Sequence, residues 1–207
     1  LLGHARLAIH DLTPAGHQPM QSHSQRYTIV FNGEIYNFED IRAQLPSEIV
    51  WRGHSDTEVM LAAFDEWGID DSLQKFNGMF AFVVWDAQKE ELLLARDRFG
   101  EKPLYYAKQN GTFVFASEIV AIEACAPLDL RINRSAISEM MRCSYIPAPL
   151  SIYKDVYKLE PGYCLKVNKN LDVEKYSYWS LSEKIHQSKA NTLNDTADAV
   201  EQLDIAL

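Results

Sequence analysis

The chain has 207 residues, enough for one domain of ordinary size with a proper core or one domain plus a short tail. Hydrophobic residues make up 47% and charged residues 24%, a balance that excludes a disordered, collagen-like or purely coiled-coil chain. A net charge of −9 argues against a nucleic-acid partner, which would want a positive face.

Cys125, Cys143 and Cys164 are odd in number and lack C-x-x-C spacing, so neither a disulfide framework nor a zinc knuckle is expected. A reducing cytoplasmic location fits that usage. No apolar run approaches the ~18 residues of a membrane helix. The spacings of His4, His10, His17, His23 and His54 match no ligand pattern, so no metal is expected.

In chain order, Arg26 to Phe31 reads as a strand stopping at the turn-prone pair Asn32-Gly33. Asn37 reads as the cap of a helix to about Leu45, and Ile49 to Trp51 as a short strand. Ser55-Asp56-Thr57-Glu58 has the form of a capping box, opening a helix that ends at Trp67-Gly68. Met79 to Trp85 is an almost unbroken apolar strand covered on both faces, followed by a second strand over Glu91 to Ala95. Leu104 to Ala107 and Thr112 to Ala116 flank Asn110-Gly111 as a hairpin, after which Ser117 caps a helix to about Cys125.

Another helix is expected near Arg134 to Arg142. Val156 to Leu159 and Tyr163 to Val167 then form a hairpin about Pro161-Gly162, with Val173 to Tyr178 adjacent. The polar stretch from Glu183 to Asn194 reads as a linker, and Thr196 opens the last helix. Hairpins interleaved with helices give an α+β chain, its antiparallel sheets covered by helices.

Four groups of residues carry candidate chemistry. Arg6, just before an apolar alternation, offers a bidentate fork to a carboxylate, or is simply a surface charge. Asn32-Gly33 presents a side-chain amide and an unhindered backbone N–H, two donors suited to an oxyanion, or is simply a turn. Asp56 sits in a first helical turn, where the dipole favours a carboxylate, or else faces an ammonium group. The alternating charges of Ala95 to Tyr106 suggest an organised loop. No cysteine has a base beside it, and serine-hydrolase and phosphate-loop signatures are absent.

The succession GHARLAIHDL, AGHQPM, FNGEIYN, GHSDTEVMLAAF, NGMFAFVVWD, LLLARDRFGEKPLYYA, FASEIVAI and YIPAPLSIYKDVYKLEPGY resembles the glutaminase domain of glutamine-dependent asparagine synthetases. That domain is a class II glutamine amidotransferase and an N-terminal-nucleophile hydrolase. The resemblance implies two antiparallel sheets packed face to face with helices outside, and hydrolysis of L-glutamine to glutamate and ammonia by an N-terminal cysteine. It places Arg6 on the glutamine carboxylate, Asp56 with Glu34 on its ammonium group, Asn32 and Gly33 in the oxyanion hole, and the backbone of Leu7 to His10, Ile9 included, along the pocket.

It also implies residues 1–182 as the glutaminase domain, with its first strands and nucleophile missing. Residues 183–207 would then be a linker and first helix leading to an ATP-dependent synthetase domain in cis. No cofactor is expected in the glutaminase domain itself; ATP and Mg belong to the synthetase domain. On this reading the 207 residues alone hydrolyse no glutamine. A catalytically silent scaffold domain is the alternative, neither nucleic acid nor membrane is a partner, and assembly as a homodimer is left open.

Overall fold

The computed structural model describes residues 1–5, 11, 13–125, 128–190 and 195–206. The strands form two antiparallel sheets. The larger has six strands: β1 (Met20–Gln21), β2 (Tyr27–Ile35), β3 (Gly78–Asp86), β4 (Glu91–Arg96), β8 (Tyr163–Asn168) and β9 (Val173–Ser177), side by side in that order. The smaller has β5 (Tyr105–Gln109) at its centre, between β6 (Thr112–Ala116) and β7 (Val156–Lys158).

Alternation along the strands builds the layers. Ile29, Phe31 and Ile35 of β2, with Phe80, Phe82 and Val84 of β3, face helices α1 (Phe38–Gln44), α2 (Asp56–Trp67) and α3 (Ile69–Lys75). Phe64 of α2 centres that core, its ring 5.6 Å from Phe82 and 5.9 Å from Phe76. The opposite residues, Val30, Ala81, Val83, Leu94 and Leu165, meet Tyr106, Phe113 and Phe115 of the smaller sheet. Both faces of β3 are therefore covered, as its apolar run requires. Ala107 and Val156 on the outer face of the smaller sheet pack with Ile122 of α4 (Ile119–Glu123). The sequence of layers is helices, sheet, sheet, helix.

Several expectations from sequence are corrected. β2 does not stop at Phe31: Asn32 and Gly33 pair with Ala81 and Phe80, and the strand runs on to Ile35. The Asn-Gly pair stays extended because Gly33, at φ 152°, lets the Met79 carbonyl approach where a Cβ would stand 2.1 Å away. Ile49 to Trp51 forms no strand; Ile49 and Trp51 lean on the helical core while Val50 is 81% exposed. Val156–Lys158 and Tyr163–Asn168 do not pair with each other. β7 joins β5 and β8 joins β4, because the Pro161-Gly162 turn carries the chain from one sheet to the other.

Ser117 caps nothing, since Glu118 stands at the start of α4. Asn37 likewise makes no cap bond and instead ties the Lys75 carbonyl and Asn77 N–H. Much of the expected linker is helical, as α6 (Leu181–Ala190); α5 (Arg134–Cys143) and α7 (Thr196–Ala206) form where expected. The short β1 and α3 have too little periodicity to announce themselves.

Candidate active site

The site lies along the outer edge of β2, where, among the described residues, no strand pairs beyond Ile29. β1 covers this edge only at Thr28 and Ile29. Further along, side chains take the place of a strand: Phe31 N–H donates to Gln18 Oε1 at 2.7 Å and Ile35 N–H to Asp56 Oδ2 at 3.0 Å. Gly33 lies between these two residues and has the same parity. Its ladder partner Phe80 spends its own backbone groups on the other side, donating to Asp97 Oδ2 and accepting from Asp97 N–H. The Gly33–Phe80 pair is therefore of the non-hydrogen-bonded kind, and the Gly33 N–H points outward at the open edge.

The same alternation turns Asn32 and Glu34 to the face shared with Val30, toward the smaller sheet. Asn32 Nδ2 reaches Ser117 Oγ at 3.5 Å, just beyond the end of β6. Asp56 approaches from α2. Ser55 caps that helix, its Oγ accepting from Glu58 N–H at 3.2 Å, and Asp56 follows in the first turn, where the helix dipole favours its charge. Asp56 is buried, and its second oxygen accepts from Thr57 N–H at 2.8 Å.

The loop before α2 is fixed by two further carboxylates. Glu58, 1% exposed, does not complete a capping box; it accepts from the N–H groups of Arg52 and Gly53 and from Arg52 Nε, with His23 Nε2 3.3 Å away. Asp11 accepts from His54 N–H and from both the N–H and hydroxyl of Thr13. These bonds hold its carboxyl down at about 2, the Thr13 hydroxyl having the largest effect.

The RDRFGEKP loop below is organised the same way. Asp97 accepts from the N–H groups of Phe80, Phe99, Glu101 and Lys102, and Arg96 donates to the carbonyls of Gly100, Lys102 and Leu159. The alternating charges thus satisfy backbone groups rather than one another.

Of the candidate residues, Asn32, Gly33, Glu34 and Asp56 come together: three are consecutive in β2, and the fourth is bonded to the next residue along. Arg6, Leu7 and Ile9 lie outside the described residues. Sequence reasoning missed Gln18 and Ser117 as their supports; Gln18 sits in the AGHQPM motif, yet nothing local says it reaches β2. Cys164 is buried in β8 and its thiol is pushed up to about 12 by burial; Cys125 is exposed after α4, and Cys143 Sγ lies 3.8 Å from Glu139 Oε2. Among the described residues no three His, Cys, Asp or Glu side chains gather as a metal site, and no helix is long and apolar enough to cross a membrane.

The model of the glutamine amidotransferase domain family matches residues 1–179. The chain belongs to this family. The amidotransferase domain is similar to asparagine synthetase [glutamine-hydrolyzing] 3 of Bacillus subtilis, 37% identical over 98% of this chain and 33% of that protein. It is also similar to a putative asparagine synthetase [glutamine-hydrolyzing] 2 of Methanocaldococcus jannaschii, 36% identical over 88% of this chain and 38% of that protein. An amidase of Gibberella zeae, chry2, is 35% identical over 87% of the chain and 26% of its own length. The amidotransferase domain thus spans about a third of the length of these relatives.

The glutamine phosphoribosylpyrophosphate amidotransferase of B. subtilis, solved with ADP and GMP, shares the fold. Its TM-score is 0.61 at 21% identity, covering 85% of this chain and 34% of that one. The double-sheet architecture is that of the N-terminal-nucleophile hydrolases.

Proposed function

We propose that the chain is the glutaminase domain of a glutamine-hydrolysing asparagine synthetase, and that the open edge of β2 is where glutamine is held. The observation that carries the reading is the outward Gly33 N–H beside the Asn32 amide, with the Asp56 carboxylate fixed two residues further along the same edge. A tetrahedral intermediate of amide hydrolysis needs two converging donors at its oxyanion, and a free amino acid needs an anion for its ammonium group. Asn32 and Gly33 take the first role. Asp56 with Glu34 takes the second, and Arg6 binds the α-carboxylate beside the Leu7 to His10 backbone.

In the reaction, a cysteine thiolate adds to the glutamine carboxamide carbon and the carbon–nitrogen bond breaks. The α-amine of that cysteine, having taken the thiol proton, passes it as an ammonium group to the nitrogen, which leaves as ammonia, and water then cleaves the thioester to glutamate and free thiol. Cys164 is buried in the core with its thiol pushed up to about 12, and none of the three cysteines is bonded to Asn32, Gly33 or Asp56 among the described residues. The nucleophile is therefore assigned to a cysteine N-terminal to Leu1 in the full polypeptide, and the 207 residues alone hydrolyse no glutamine. Ammonia then amidates aspartate in a synthetase domain, which holds ATP and Mg and follows residues 183–207 in cis. The relatives' names support aspartate as acceptor. A silent scaffold would leave the paired donors and the facing carboxylate without a purpose.

Glutamate release and asparagine formation by the full polypeptide test this directly. Asn32→Ala should lower kcat for glutamine hydrolysis on the order of 100-fold or more with little change in thermal midpoint. Arg6→Ala should raise KM strongly. A wild-type protein that uses only free ammonia would overturn the glutaminase reading.

A further inference from the structure

Gln18 and Thr57 have no part in the chemistry described above, yet their side chains join the two ends of the β2 edge that flank the Gly33 N–H. Gln18 Oε1 accepts from Phe31 N–H at 2.7 Å, which fixes the orientation of its amide: the Nε2 end must face the other way. There it meets Thr57 Oγ1 at 3.4 Å. Because that hydroxyl receives the Gln18 donor, its own hydrogen is free to point onward, and Asp56 Oδ1 lies 3.4 Å away. Asp56 Oδ2 returns the circuit to β2 through Ile35 N–H at 3.0 Å. The donors run from Phe31 through Gln18 and Thr57 to the Asp56 carboxylate, which also accepts from Ile35 N–H, so both arms end on Asp56. Gln18 and Thr57 are 7% and 3% exposed, so water cannot readily replace either bond.

We propose that Gln18 and Thr57 are positioning residues for glutamine hydrolysis. Through the Thr57 hydroxyl they fix the Asp56 carboxylate at a set distance along β2 from the Gly33 N–H, and so match the site to the separation between the ammonium and carboxamide ends of glutamine. The inference rests on the role given to Asp56 in the reading above. Neither side chain touches substrate on this account; both act through Asp56 and the Phe31–Ile35 edge. The Thr57 hydroxyl is the relay, since its single oxygen accepts from the Gln18 amide and donates to the Asp56 carboxylate.

The test is steady-state glutamine hydrolysis by the full polypeptide, with thermal midpoints measured on each variant. Asp56→Asn serves as the reference. Thr57→Val, close in shape but without the hydroxyl, is expected to raise KM for glutamine on the order of tenfold, with kcat reduced far less. Thr57→Ser restores the hydroxyl and is expected to recover most of the loss. Gln18→Ala should act in the same direction, and its effect should shrink when combined with Thr57→Val, because one circuit is broken twice.

If Asp56→Asn raises KM while Thr57→Val and Gln18→Ala leave it at the wild-type value, the positioning inference is overturned and the glutaminase reading survives. If Asp56→Asn itself leaves KM unchanged, the ammonium role fails and takes the inference with it. A Thr57→Val protein whose KM matches that of Thr57→Ser while its midpoint alone is lower would show that the hydroxyl acts only through stability, and would also overturn the inference.

Discussion

Gly33 is confined to glycine by the strand opposite: a Cβ there would stand 2.1 Å from the Met79 carbonyl oxygen and 2.7 Å from Phe80 Cα. Neither is the end of a flexible side chain, so backbone would have to move. Gly33→Ala is expected to destabilise the domain by roughly 1–3 kcal/mol, lowering the thermal midpoint by about 2–4 °C per kcal/mol. An unaltered midpoint in calorimetry would contradict the close approach. Asp11 offers a pH readout. Its carboxyl is lowered from 3.8 to about 2 by the Thr13 hydroxyl first, then by the amides of His54 and Thr13. With the folded value below the unfolded one, its stabilisation is complete above roughly pH 5 and is lost as pH falls toward 2. Thr13→Val removes the largest cause, so the Asp11 carboxyl, followed by NMR, should then titrate at a higher pH.

Among the elements, the loop from Arg96 to Pro103 depends most on single side chains. Asp97 is 1% exposed and accepts four backbone N–H groups through two oxygens, joining the loop to β3. Asp97→Asn replaces one accepting oxygen by a donor that faces other donors. It should cost about 1–3 kcal/mol and speed amide exchange at Phe99, Glu101 and Lys102, whereas equal exchange rates would remove Asp97 from that role. The α2 start was legible in sequence because Ser55 and the Glu58 N–H are three residues apart, within reach of a local rule. The Glu58 side chain was not, since it turns to Arg52 and Gly53 rather than back to the cap. Asn32-Gly33 misled for a related reason: a turn and a closely approached strand ask for the same residues, and only the carbonyl of Met79 decides between them.

For the whole molecule, the layered arrangement sorts the three thiols. Cys164 lies within the main core, where burial pushes its thiol up to about 12, while Cys125 is exposed. Alkylation of the native chain at neutral pH should therefore modify Cys125 first and spare Cys164 until the domain unfolds; mass spectrometry of the labelled peptides checks the order. Early labelling of Cys164 would mean that the packing of β8 against β4 is looser than described.

The sequence by itself determined the class of fold and the identity of most strands and helices, because periodicity and caps are properties of neighbours along the chain, while its resemblance to the glutaminase family pointed to Asn32, Gly33, Glu34 and Asp56 as candidates. Tertiary structure alone decided that β7 and β8 part into different sheets, that β2 runs on through its glycine, and that Gln18 and Asp56 occupy the edge on either side of it. The physical reason is that a backbone N–H has no preferred partner written in its own residue. Which acceptor it finds depends on groups brought near by distant parts of the chain, and the candidate site is built from those meetings.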